Sequence, residues 1–248
     1  MNILIVDDDP MMAKTLSDII KLKGYEADMS ISGKEAFSKL KDKEFHCVIS
    51  DIKMPGMSGL ELYRIIKQKF NYIPVILMSA YSSENIIEKA LAEGVISVLT
   101  KPLDINLILN FLSFLQKEKN IAIIDDDPIF SSALEHLLKI RNYNITMKND
   151  PENIFDVITE RTDVVLLDMN LGGTDGLQLF TKIREKFPLL PVILITGFGE
   201  LMFEKIEKAI TGGVLGCFHK PFSIKELSES LLNIRNNELI RFFRRKGG

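Results

Sequence analysis

Ile3-Leu4-Ile5-Val6-Asp7-Asp8-Asp9-Pro10 returns as Ile121-Ala122-Ile123-Ile124-Asp125-Asp126-Asp127-Pro128: an apolar run that breaks into three acids and a proline, twice in 248 residues. Each copy is followed by a lone aspartate (Asp51, Asp168), a hydroxyl residue (Ser79, Thr196) and a Lys-Pro (Lys101-Pro102, Lys220-Pro221). Asp7 and Asp125, Asp51 and Asp168, Ser79 and Thr196, and Lys101 and Lys220 are 118, 117, 117 and 119 residues apart. A period that long has the size of a domain, not of a solenoid repeat. The expected organisation is one domain over 1–118, a second copy over 119–237, and a basic helix end or tail over 238–248.

Outward from the first run, aliphatic stretches alternate with helical patterns. Strands are expected at Ile3 to Val6, Glu26 to Met29, Cys47 to Ser50, Val75 to Ser79 and Ile96 to Leu99. Helices are expected from Met11 to Lys23, Lys34 to Lys41, Gly59 to Lys69, Glu84 to Ala92 and Asp104 to Lys117. The second half repeats the strands at Ile121 to Ile124, Asn144 to Met147, Val164 to Leu167, Val192 to Ile195 and Val214 to Phe218. Runs such as Val75-Ile76-Leu77-Met78, apolar at every position, fit strands buried on both faces of a parallel sheet. Each half is thus expected to be an α/β domain with a doubly wound, five-stranded parallel sheet. Right-handed crossovers place its ligand site at the carboxyl ends of the strands, where all the repeated polar residues fall. Asp9 and Asp127, each before proline, read as helix N-caps with Pro at the first helical position. Asp7, Asp8, Asp125 and Asp126 have no such structural duty.

The composition, 46% hydrophobic and 26% charged, is that of ordinary globular domains. A net charge of −3 gives no sequence-wide attraction to nucleic acid or anionic lipid, although Arg241 to Lys246 is locally basic. Specific DNA readout is not indicated. Cys47 and Cys217 lie in or beside apolar runs of different halves, so two buried thiols are expected rather than a disulfide. Leu103 to Leu115 is short for a membrane span and carries Asp104, Asn106 and Asn110, and no signal peptide is evident. A cytoplasmic protein without membrane insertion is expected.

Three converging carboxylates repel by roughly 4 kcal/mol per close pair at an effective dielectric near 20. A cation must offset that, and an all-oxygen site offering few carboxylates suits Mg²⁺, which bridges carboxylate to phosphate. An ammonium and a hydroxyl complete a phosphate environment, so the chemistry supported is phosphoryl transfer to an aspartate.

On these residues, both halves resemble the receiver domains of bacterial response regulators, whose fold is flavodoxin-like. The shared pattern is an acidic pair after the first strand, a phosphoacceptor Asp, a small hydroxyl residue and Lys-Pro. Asp51 to Gly59 and Asp168 to Gly176 also resemble the family's phosphorylation loop. The resemblance implies phosphoryl acceptance on Asp51 and Asp168. It implies Mg²⁺ held by Asp8 with Asp51 and by Asp126 with Asp168, helped by the backbone carbonyls of Lys53 and Asn170, while Asp7 and Asp125 act through water. Ser79 or Thr196 and Lys101 or Lys220 would hold phosphoryl oxygens, and the Lys-Pro bonds are expected cis. The implied partners are a histidine kinase or histidine phosphotransfer protein, with a second copy of the chain as a further candidate. The implied output is protein interaction or phosphoryl relay in a two-component system. The alternative is the receiver input region of a longer regulator with an effector such as a cyclic-dinucleotide synthase.

The chain departs from the family pattern where a switch aromatic often precedes the site lysine by three residues, since Val98 and Cys217 stand there. Tyr81 and Phe198 are nearby aromatics that could substitute. An enzyme reading, a Mg²⁺-dependent aspartyl phosphatase, wants a second acid two residues after the nucleophile, and Lys53 and Asn170 occupy those positions. His136 on a helix faintly resembles a phosphotransfer histidine but lacks the small residues that should follow. His46 and His219 have no partners at zinc spacing. No G-x-G-x-x-G follows the first strand, and Gly172-Gly173 reads as a turn. Between the halves only Lys117 to Asn120 are left as linker. The preceding helix carries Ile105, Leu107, Ile108, Leu109, Phe111, Leu112, Phe114 and Leu115, more than one apolar face, so packing on the other receiver or on a dimer mate is expected. Its counterpart carries the simpler stripe Ile224, Leu227, Leu231 and Ile234.

Overall fold

In the computed structural model of the chain, which describes residues 1–70, 73–80, 84–197 and 211–246, two compact units form. The first comprises Met1–Gln116 with Arg235–Gly248, the second Lys117–Ile234.

The first unit's sheet contains β1 (Asn2–Val6), β2 (Glu26–Ser30), β3 (Cys47–Asp51), β4 (Val75–Ser79) and β5 (Ser97–Thr100). The order is β2-β1-β3-β4-β5 and every pairing is parallel. The helices are α1 (Pro10–Leu22), α2 (Gly33–Asp42), α3 (Gly59–Lys69), α4 (Glu84–Glu93) and α5 (Ile105–Gln116). Side chains alternate along a strand, so β1 feeds two cores at once. Ile3 and Ile5 pack with Ala13, Leu16 and Ile20 of α1 and with Ile108, Phe111 and Leu112 of α5. Leu4 and Val6 pack on the other face with Ala36, Leu40, Leu62 and Ile66. All residues of β3 and β4 are buried, as the apolar runs Cys47 to Ile49 and Val75 to Met78 require, with Ser50, Asp51 and Ser79 buried at the strand ends. Asp9 caps α1 by accepting from the N–H groups of Met11 and Met12, with Pro10 at the helix start. Ser58 and Glu61 close a capping box that starts α3 soon after β3.

The second unit has β6 (Lys119–Ile124), α6 (Pro128–Lys139), β7 (Tyr143–Lys148) and β8 (Val164–Asp168). They are followed by a hairpin of β9 (Asn170–Leu171) and β10 (Thr174–Asp175), then α7 (Gly176–Lys186), β11 (Val192–Thr196), β12 (Gly216–His219) and α8 (Ile224–Lys246). The large sheet runs β7-β6-β8-β11-β12, all parallel, the same order as in the first unit. Asp127 repeats the cap of Asp9 by accepting from Ile129 and Phe130 N–H. Among the described residues no helix is long and apolar enough to cross a membrane.

Three details differ from the sequence reading. Between β7 and β8 the crossover contains only a 3₁₀ turn (Ile154–Asp156), preceded by Asn153 at φ 50°. That left-handed residue stops a helix from starting earlier, and buried Ile154 and Ile158 cover the sheet instead. The join is shorter than Lys117 to Asn120. β6 starts at Lys119, pairs with Tyr143 at once, and has the Asn120 N–H held by the Asp163 carboxylate at 2.8 Å.

The third difference is the cover of α5. Phe111 stands 4.9 Å from the Phe243 ring, Phe114 stacks on Phe242 at 5.2 Å, and Leu239 and Phe243 are buried in the α1–α5 core. The end of the chain's own α8, counted with the first unit, supplies the cover expected from the other receiver or a dimer mate. Arg235 adds a hydrogen bond to the Leu115 carbonyl at 3.1 Å. Residues 238–246 form the end of that helix. The simpler stripe behaves as read, with Leu227, Leu231 and Ile234 buried in the second unit's core and Ile224 packed against it.

Candidate functional site

β1, β3, β4 and β5 run in one direction, so their carboxyl ends bring Asp7, Asp51, Ser79 and Lys101 to one edge. Lys101 Nζ lies 2.8 Å from Asp7 Oδ2 and 2.6 Å from Asp51 Oδ1, bridging two buried acids 44 residues apart. The other oxygens are held by backbone: Asp7 Oδ1 accepts from Asp9 N–H at 3.0 Å and Asp51 Oδ2 from Lys53 N–H at 2.7 Å. Burial alone pulls the Lys101 pKa down, but its hydrogen bonds to Asp51 and Asp7 outweigh that and hold it above the usual lysine value. Ser79 is buried at the end of β4, its carbonyl accepting from Lys101 N–H at 2.8 Å. Asp8 is exposed beside them.

The second unit rebuilds the arrangement from β6, β8, β11 and β12. Lys220 Nζ lies 2.6 Å from both Asp125 Oδ2 and Asp168 Oδ2. Asp127 N–H donates to Asp125 Oδ1 at 3.0 Å and Asn170 N–H to Asp168 Oδ1 at 2.9 Å. Thr196 is buried, its hydroxyl donating to the Gly197 carbonyl at 2.9 Å. Lys220 also sits 4.2 Å from the Phe130 ring centroid, a cation–π contact. Its pKa is raised in the same way, hydrogen bonds to Asp125 and Asp168 overcoming burial. The Asp125 carboxyl is pushed up chiefly by burial, with the Asp168 charge adding and Lys220 opposing.

Both Lys-Pro bonds are cis. Asp125, Asp126 and Asp168 each offer a carboxylate oxygen, all within 4.8 Å of one another. Three hard oxygen donors fit a divalent cation of the Mg²⁺ type. Asp126 is exposed but fixed, with Oδ2 accepting from the Gly172 N–H at 2.8 Å. Glycine has a further role that the pattern reading did not assign. A Cβ at Gly59 would collide with the Asp51 carbonyl oxygen and one at Gly176 with that of Asp168. α3 therefore approaches β3, and α7 approaches β8, more closely than any side chain permits. The short distance from Asp51 to Gly59 and from Asp168 to Gly176 was the available signal.

Val98 and Cys217, at the position of the family's switch aromatic, are half-buried against the α2–α3 core and its counterpart. Tyr81 and Phe198 lie outside the described residues. His46 Nδ1 accepts from Asn2 N–H at 3.1 Å, a structural pin far from the acids, while His136 and His219 are exposed on α6 and at the end of β12. Cys47 is buried and its thiol is pushed far up by burial.

The family model described as the response regulator receiver domain matches residues 3–113 and again 121–232. A response regulator receiver protein of Anaeromyxobacter sp. (strain Fw109-5) is 31% identical over 231 residues, covering 90% of this chain and 91% of that protein. FleR of Pseudomonas aeruginosa is 33% identical over 111 residues and ZraR of Klebsiella oxytoca 37% over 112, each covering 45% of this chain. The chain spans 24% and 25% of those two longer proteins. Among solved structures, TrrA of Thermotoga maritima in complex with Mg²⁺-BeF matches at 32% identity with a TM-score of 0.42, over 46% of this chain and 97% of that one.

Proposed function

Because the chain belongs to the response regulator receiver family, with two receiver domains in tandem, we propose that it accepts a phosphoryl group on Asp51 and another on Asp168. The observation that carries this is the doubly bridging lysine, built twice. Each site holds one ammonium within 2.8 Å of the buried acceptor and of a second buried acid, where an incoming phosphoryl group would need positive charge.

A carboxylate oxygen of the acceptor attacks phosphorus of a phosphohistidine or a small acyl phosphate. The new P–O bond forms as the bond to the donor's nitrogen or oxygen breaks, and the product is an aspartyl phosphate. Asp8, Asp51 and the Lys53 carbonyl would hold Mg²⁺ in the first receiver, and Asp126, Asp168 and the Asn170 carbonyl in the second, with Asp7 and Asp125 acting through water. Bound there, the cation would offset charge on both reacting partners. Lys101 and Lys220 exchange their acceptor contact for a phosphoryl oxygen, and Ser79 or Thr196 donates to another. The donor is a histidine kinase or phosphotransfer protein in the cytoplasm. The chain works as a signalling module through protein interaction or relay, not by turnover of external esters.

Acid-quenched intact-mass analysis after acetyl phosphate and Mg²⁺ tests this. Two phosphoryl adducts are expected, Asp51→Asn and Asp168→Asn should each remove one, and both adducts persisting in the double variant would refute the assignment.

A further inference from the structure

The two acid sites have the same residue types but not the same degree of order. In the first, Asp7 and Asp51 are each held by a backbone N–H and by Lys101, whereas Asp8 makes no hydrogen bond or ion pair among the described residues. In the second, all three acids are held. Asp127 N–H fixes Asp125, Asn170 N–H fixes Asp168, and Gly172 N–H fixes Asp126. Among the described residues only the second trio has its oxygens gathered within 4.8 Å.

The difference originates in the acceptor loop. Asn170-Leu171-Gly172-Gly173-Thr174-Asp175 closes a tight hairpin, with Thr174 paired to Leu171 and Asp175 to Asn170. Gly172 at φ 53° and Gly173 at φ 93° make the turn, the backbone sign that two-residue hairpin turns require. Leu171 is buried and anchors the hairpin in the core. The turn thereby presents the Gly172 N–H to Asp126. The first receiver has Lys53-Met54-Pro55-Gly56 in that stretch, where Gly56 alone has positive φ and no hairpin forms.

We infer that Gly172 is a positioning residue which, through its backbone N–H, holds Asp126 in metal-binding orientation, so that the second receiver takes Mg²⁺ ahead of the first. This rests on the metal site proposed above. A carboxylate has about four lone-pair positions, so one N–H contact leaves Asp126 free to ligate. Its Oδ2 is already held by the Gly172 N–H in the fold, whereas Asp8 has no such contact and would give up its rotamer freedom on binding the metal. Fixing one such side chain corresponds to about a fivefold difference in affinity.

The test uses the full chain with one site disabled at a time: Asp8→Ala with Asp51→Ala leaves the second site, and Asp126→Ala with Asp168→Ala leaves the first. Calorimetric Mg²⁺ titration, repeated with Mn²⁺ by electron paramagnetic resonance, should find the second site about fivefold tighter. Glycolic acid at position 172, which replaces the N–H by an ester oxygen, should abolish that advantage. Gly172→Asn should keep it, because Asn tolerates this φ, keeps the N–H, and its Cβ would stand 4.0 Å from Asp126 Oδ2. Equal affinities at the two sites, or an ester variant that binds as tightly as the native chain, would overturn the inference while leaving the proposed metal sites standing. Failure of both sites to bind metal would overturn the proposed function with it.

Discussion

Replacing Phe243 by alanine tests whether the end of α8 is part of the first receiver's core. The ring is 8% exposed and stands 4.9 Å from Phe111 and 5.3 Å from Phe242. Removing a buried Phe typically costs about 3–5 kcal/mol. The lower end applies here, because Phe243 lies in the last turns of a helix, where the backbone can relax into the space. A loss of about 3 kcal/mol is roughly a hundredfold in the opening equilibrium. Two units need not unfold together, so a single melting temperature is a poor readout. Hydrogen exchange read peptide by peptide separates them. Amides of α5 and of β1 should exchange up to about a hundredfold faster in Phe243→Ala, while β6, β8 and β11 remain protected. Unchanged protection of α5 would refute the argument and leave Phe111 and Phe114 needing another cover.

Two further outcomes are expected. Gly59→Ala should destabilise the first receiver by about 3 kcal/mol, because the added Cβ meets the backbone of Asp51 rather than a side chain that can swing away; thermal melting with hydrogen exchange localises the loss, and an unaffected β3 would count against the close approach. Lys101 and Lys220 hold their protons above the ordinary lysine value in the fold. Stability from these bridges is therefore complete below the unfolded pKa of about 10.4 and drains as pH rises through the higher folded value. Metal-free melts should stay level between about pH 7 and 9 and fall above about pH 10.5, and a Lys101→Arg, Lys220→Arg double variant that falls just as steeply would remove the bridges as the cause.

The repeat and the chemistry were legible in the sequence for a local reason. A strand buried on both faces must be apolar at every position, as Val75 to Met78 is, and a helix start is marked by its own cap, as Asp9-Pro10 and Asp127-Pro128 are. Once parallel strands are assigned, their carboxyl ends must converge, which brings Asp7, Asp51, Ser79 and Lys101 together before any coordinate is known. Even the surplus of apolar residues on α5 announced that something covers it. What covers it was decided only in three dimensions, because Phe242 and Phe243 lie more than 120 residues away and carry no periodic mark tying them to Phe111 and Phe114. The same holds for the Gly172 N–H on Asp126. Gly-Gly reads as a turn, but which acid the turn faces depends on how the hairpin seats Leu171 in the core. Periodicity and caps report what each residue does to its neighbours in the chain; contacts between distant segments are settled by which surfaces exclude water together when the whole chain folds.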